Sequence, residues 1–180
     1  MYGIVNKAIE EMVTTGFGKE KWEAVKLKSG VEEDFFISNE PYDDAITYNL
    51  AIAASEELNI SLTEVLNAFG EYWVLHTGKE KYGSLMEAGG ANLMEFLQNL
   101  PVFHNRIILM YPNLNPPEFK TSGKTENSIN IHYYSSRAGL QEFVRGLLMG
   151  LSKLYAVPAI VTQTQKKSDG YDHDIFNVSW

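Results

Sequence analysis

The feature that most limits how this chain can fold is a change of hydrophobic period near Tyr111. Before it, apolar residues return every three or four positions: Ile4, Ala8, Ile9, Met12 and Val13 in the first run, and later Leu93, Phe96, Leu97, Leu100, Ile107 and Ile108. That is the spacing of one helical face. After it, Ile129, Ile131 and Tyr133 alternate with Asn130, His132 and Tyr134, the spacing of a half-buried strand. Helices first and strands later predict an α+β fold, a helical N-terminal part packed on a C-terminal antiparallel sheet with one long helix.

Boundary signals divide the helical part. Gly30 is placed to C-cap the run KEKWEAVKLKS, and Asp43 and Asp44 fall in the first turn of the run ending near Leu58, where acids favour a helix start. Ser61 followed by Glu64 predicts a capping box, and the helix it opens is expected to close at Gly78. The next helical run breaks at Gly89-Gly90, and Pro101 is expected to end or kink it. Past Tyr111 a proline-rich connector runs into a first strand and a turn. Residues 128–136 read as a strand and 138–156 as an amphipathic helix with Phe143, Leu147, Leu148 and Leu151 on one stripe. Two last strands flank a turn at Asp169-Gly170. Residues 1–180 are expected to form one domain.

Composition removes several classes of function. A net charge of −8 leaves no cluster of cations for a phosphate backbone, which excludes nucleic acid as a partner. With no cysteine there is no disulfide, no thiolate nucleophile and no zinc–thiolate or iron–sulfur site. The first residues do not form a signal peptide, and no apolar run approaches the ~20 residues that span a bilayer. The expected setting is the cytoplasm, without membrane contact.

Position sorts the four histidines. His76 falls near a helix end, His132 is out of phase with the buried face of its strand, and His173 lies beside a turn, so all three read as surface residues. His104 lies within the apolar stripe of Leu93, Phe96, Leu97, Leu100, Ile107 and Ile108. A histidine there is commonly a core residue with a satisfied ring, and without neighbouring cysteines or carboxylates it cannot build a closed zinc site. It can still be the one protein ligand of a metal that brings its own equatorial donors, namely heme iron.

The strand at residues 128–136 adds a second clue. On one face Ile129 and Ile131 are followed by Tyr133, Ser135 and Arg137, three donors ending in a permanent cation. A strand end whose arginine pairs with an acid would explain this. So would a pair of carboxylates at a pocket rim, with arginine binding one through both prongs. Heme propionates are such carboxylates, and they make the two clues consistent.

The segments MYGIVNKAIEEMV, FGEYW, EFLQNLPVFH, YPNLNPPEF, HYYSSRAGLQEF and DHDIF together resemble the heme-nitric oxide/oxygen binding (H-NOX) domain. That family includes bacterial stand-alone members and the heme domain of soluble guanylate cyclase β subunits. The resemblance runs from Met1 to the last strand. It implies that heme b (Fe-protoporphyrin IX) lies between the helical part and the sheet. His104 becomes the proximal iron ligand, and Tyr133, Ser135 and Arg137 contact the propionates. Pro117 matches the proline that presses on the porphyrin, and Tyr2, Ile4 and Trp73 match distal positions.

In O₂-binding members a tyrosine on the helix after the Tyr-x-Ser-x-Arg motif donates to the ligand. Counted back from Gly146, the matching residue is Phe143, which has no O–H. The resemblance therefore implies a sensor of NO that also takes CO and excludes O₂. NO would weaken or break the Fe–His104 bond and so signal to a separate protein, a histidine kinase or a diguanylate cyclase. Other classes remain open at this stage: an O₂-binding or peroxidase-like heme protein, or a metal-free module for an anionic small molecule. No Gly-x-Ser-x-Gly turn supports a serine hydrolase, and no enzyme activity is expected.

Overall fold

A computed structural model describes residues 1–111 and 115–180. Helix α1 (Gly3–Phe17) is followed by α2 (Lys19–Ser29), which ends on Gly30 in the left-handed conformation. Such a φ of 68° favours glycine. Helix α3 (Asp44–Leu58) starts one residue later than the acid pair suggests. Asp43 is its N-cap, accepting from the Ala45 N–H at 2.8 Å, and only Asp44 lies in the first turn. Helix α4 (Leu62–Tyr72) has the capping box of Ser61 and Glu64.

Two expected breaks are absent. The chain does not stop at Gly78: a π-helical turn, Trp73–Gly78, carries α4 directly into α5 (Lys79–Glu87). Gly78 keeps right-handed helical angles, and Val74, Thr77 and Gly78 are buried, so packing rather than a terminator governs this stretch. Helix α6 (Leu93–Leu109) does not end at Pro101 but continues past it. An interior proline costs about 3 kcal/mol. Burying Leu93, Phe96, Leu97 and Leu100 contributes about 1.5–3 kcal/mol per side chain, which outweighs that cost.

The C-terminal part comprises β1 (Glu118–Ser122), β2 (Ser128–Tyr134), α7 (Gln141–Leu154), β3 (Ile160–Gln165) and β4 (Asp174–Ser179). The strands form one antiparallel sheet in the order β1-β2-β4-β3. Register opposes Ile129 to Val178 and Ile131 to Phe176, so one face is a continuous apolar layer. Of the proline-rich connector, Pro112, Asn113 and Leu114 lie outside the described residues.

The buried side chains form two clusters. One joins α1 to α4 through Ile9, Val13, Trp22, Leu50, Val65 and Phe69. The other joins α6 and α7 to the sheet through Phe96, Leu97, Ile131, Leu148 and Phe176. They meet where α4 crosses α7. A Cβ on Gly70 would stand 2.3 Å from the Phe143 carbonyl oxygen, and one on Gly146 would stand 2.2 Å from that of Asn67. Only glycine admits backbones this close. That contact sets the distance between Trp73 on one helix and Phe143 on the other.

Candidate heme site

Between the two clusters lies a cavity of about 250 Å³. All nine residues singled out in the sequence line it: Tyr2 and Ile4 from α1, Trp73 from the π-turn, His104 from α6, Pro117 from the connector, Tyr133 from β2, Ser135 and Arg137 from the segment after it, and Phe143 from α7. Phe143 and Leu147 are half-buried, and with Leu148 and Leu151, placed in the sequence on the same stripe, they line this space.

His104 keeps a ring nitrogen unsatisfied among the described residues. Its Nδ1 is buried and has no hydrogen-bond partner among the described residues, and its ring meets Phe119 edge-on at 4.9 Å. Burial lowers its pKa to about 4, so the imidazole is neutral at physiological pH. A neutral imidazole with an available lone pair, in the wall of an apolar cavity, suits an iron ion with its own equatorial ligands.

Arg137 is already engaged. Its Nε donates to Asp44 Oδ2 at 2.7 Å, its Nη2 to Asp44 Oδ1 at 3.3 Å and its Nη1 to the Asn115 carbonyl at 2.5 Å. The Met1 amino group donates to the same Asp44 at 2.5 Å. Burial opposes ionisation of Asp44, but the hydrogen bonds from Arg137 and the Met1 amino group outweigh it and hold its carboxyl below the usual range. Of the two explanations that the sequence leaves open for this arginine, the fold shows the first, a pairing with an acid, at the cavity wall. Ser135 Oγ accepts from the Arg137 backbone N–H at 3.0 Å, which fixes the turn that presents both side chains. Burial raises the pKa of the Tyr133 hydroxyl, opposed by its bond to Ser135.

Sequence reasoning missed other wall residues. Tyr82 and Tyr111, from α5 and the end of α6, line the cavity with their hydroxyls 2.5 Å apart, and Tyr111 meets Tyr2 edge-on at 4.7 Å. Tyr48 also lines it, donating to the Ala138 carbonyl at 2.8 Å. Tyrosine within a helical pattern looks like any core aromatic, so no sequence signal separates these. Asp44 did carry a signal, being the only acid of the α3 first turn, but only folding reveals its partner 93 residues away. His173 is not the surface residue expected. It is buried, because His132 and Tyr134 cover it.

A family model described as Haem-NO-binding matches residues 2–163. The chain belongs to that family. H-NOX domains bind heme, and the domain is a sensor with no catalytic chemistry of its own. Among curated proteins, the chain is 27% identical over 187 residues to soluble guanylate cyclase gcy-37 of Caenorhabditis elegans, covering 99% of this chain and 26% of that protein. It is 33% identical over 89 residues to guanylate cyclase soluble subunit beta-2 of Rattus norvegicus, covering 49% of this chain and 13% of that one. The chain thus spans about a quarter or less of the curated relatives it matches. Among solved structures it matches the Fe(II)NO form of an H-NOX protein from S. oneidensis with a TM-score of 0.88 at 19% identity, covering 99% and 98% of the two chains. It matches the unliganded Fe(II) H-NOX protein from K. algicida with a TM-score of 0.86 at 24% identity, covering 99% and 96%. These likenesses show the H-NOX fold. Among the described residues no helix is long and apolar enough to cross a membrane.

Proposed function

We propose that residues 1–180 form one heme domain that senses NO, takes CO as a second ligand, excludes O₂ and reports to a separate protein. The observation that carries this reading is the neutral imidazole of His104, its Nδ1 without a partner among the described residues, in the wall of an apolar cavity. Heme b suits a chain without cysteine, since no thioether attachment can form. Held by His104, heme would supply an iron centre able to bind a diatomic gas.

The chain's own residues do the rest. Tyr133, Ser135 and Arg137 would hold the carboxylate tails at one end of the cavity, and Pro117 offers a rigid wall contact. Tyr2, Ile4, Trp73 and Phe143 line the gas side. Phe143 packs on Phe69 with ring centroids 4.8 Å apart and brings no donor, whereas O₂ gains more from a donor than NO or CO does. Because no carbonyl or carboxylate among the described residues bonds His104 Nδ1, nothing there strengthens the ring as a ligand. His104 would hold the iron from α6, so a change in that hold would be passed to the helix that carries it. The match to cyclases covers only their sensing segment, and a histidine kinase or diguanylate cyclase is the proposed receiver.

Optical spectra of the ferrous protein under argon, air and NO test this. A heme band that shifts under NO and is unchanged by air is expected. Failure to bind supplied heme overturns the whole reading, and a stable oxygenated spectrum overturns the exclusion of O₂.

A further inference from the structure

On the sheet face turned away from the cavity, four side chains form one line of hydrogen bonds. Ser122 Oγ lies 2.6 Å from His132 Nε2, His132 Nδ1 lies 2.8 Å from His173 Nε2, and His173 Nδ1 lies 2.5 Å from Asp172 Oδ1. A carboxylate can only accept, so His173 carries its proton on Nδ1 and its Nε2 accepts. His132 then donates from Nδ1 and accepts the Ser122 hydroxyl at Nε2. With both rings neutral, every bond in the line has one proton.

Ser122 lies exposed on the edge strand, and the cavity is on the other face, so the line is suited to fasten rather than to attack a substrate. What it fastens is the β3–β4 turn. Gln165 Nε2 donates to the His173 carbonyl at 3.0 Å, the Lys167 N–H donates to Asp174 Oδ1 at 2.9 Å, and Lys167 Nζ donates to the Ser135 carbonyl at 2.6 Å. Ser135 belongs to the cavity wall. The turn therefore joins the histidine pair to the strand end that presents Arg137.

We propose that His132 and His173 form a proton-operated latch that holds the β3–β4 turn on the sheet and opens on acidification, loosening the Ser135–Arg137 segment. One added proton is tolerated. It goes to His132 Nε2, and the Ser122 hydroxyl rotates to accept. A second must go to His173 Nε2, where it faces the His132 Nδ1 proton across 2.8 Å, and the contact cannot survive. The contact thus admits one added proton on the pair and opposes a second.

The surroundings agree. From β1, Lys120 stands over Tyr134 at 4.8 Å and pairs with Glu118 at 3.2 Å. From β2, Tyr134 stacks on His173 at 4.1 Å. From the turn come Asp172 and Lys167, and from β4 comes Asp174, already occupied by Gln163 and Lys167. Burial, His173 and Lys120 hold His132 below its ordinary basicity, with Asp172 opposing.

The test combines imidazole NMR titration with amide hydrogen exchange on the full chain, from about pH 7.5 to about pH 5. Two coupled steps are expected, and amides of 167–172 and 135–137 should exchange about tenfold faster through the second step. In His173→Gln, whose amide reproduces both bonds without titrating, protection should persist at low pH. In His173→Ala it should be lost throughout. Independent titration of the two rings, or a pH response in His173→Gln equal to that of the parent, overturns the proposal. Neither outcome depends on a bound cofactor.

Discussion

Arg137 and Asp44 form a two-pronged ion pair across the rim of the cavity, joining the segment after β2 to the start of α3. The arginine side chain is 16% exposed and the aspartate 37%, so solvent screens the pair. Asp44→Asn should cost the heme-free protein about 1 kcal/mol, less than the several kcal/mol of a fully buried pair. Chemical denaturation of both proteins measures this. A loss within error would mean that the pair positions Arg137 without stabilising the fold.

His104→Leu separates ligation from stability. The substitution removes an unsatisfied buried nitrogen and fills similar volume, so the heme-free protein should gain about 1 kcal/mol while heme binding is lost. His104→Gly should likewise fail to hold heme until free imidazole is supplied. Retention of heme by His104→Leu would mean that another residue is the ligand.

The acid side of the stability profile follows from the same ring. With a folded pKa of about 4 against about 6.5 in the unfolded chain, the unfolded state binds the proton first. Stability is therefore full above pH ~6.5 and falls as pH drops towards ~4, by roughly 3 kcal/mol in total. Denaturant midpoints of heme-free protein and of His104→Leu, taken across that range, should diverge from one another by this amount.

Phe143→Tyr places a hydroxyl on the cavity side of α7. One hydrogen bond of about 1–3 kcal/mol raises O₂ affinity roughly five- to a hundred-fold. An oxygenated spectrum in air, absent in the parent protein, is the expected result.

Gly146→Ala tests the helix crossing. A methyl group 2.2 Å from the Asn67 carbonyl oxygen forces α4 and α7 apart and should cost about 1–3 kcal/mol. Gly16, with open space around it and ordinary helical angles, is the control: Gly16→Ala should not destabilise.

The amino-acid sequence by itself determined the period of each segment, and with it α+β, the capping box at Ser61, the strand at Ile129 and the amphipathic α7. It also placed one histidine among apolar neighbours and Tyr133 on the buried strand face, because those patterns are local and repeat within a few residues, although the strand ends at Tyr134, before Ser135 and Arg137. Only the tertiary structure decided that α6 continues through Pro101, that Gly78 lies within a helix, that Asp44 meets Arg137, that Tyr82 meets Tyr111 and that His132 meets His173. Each of these depends on contacts between residues distant in the chain or on burial that offsets a local cost, and no local pattern encodes such terms.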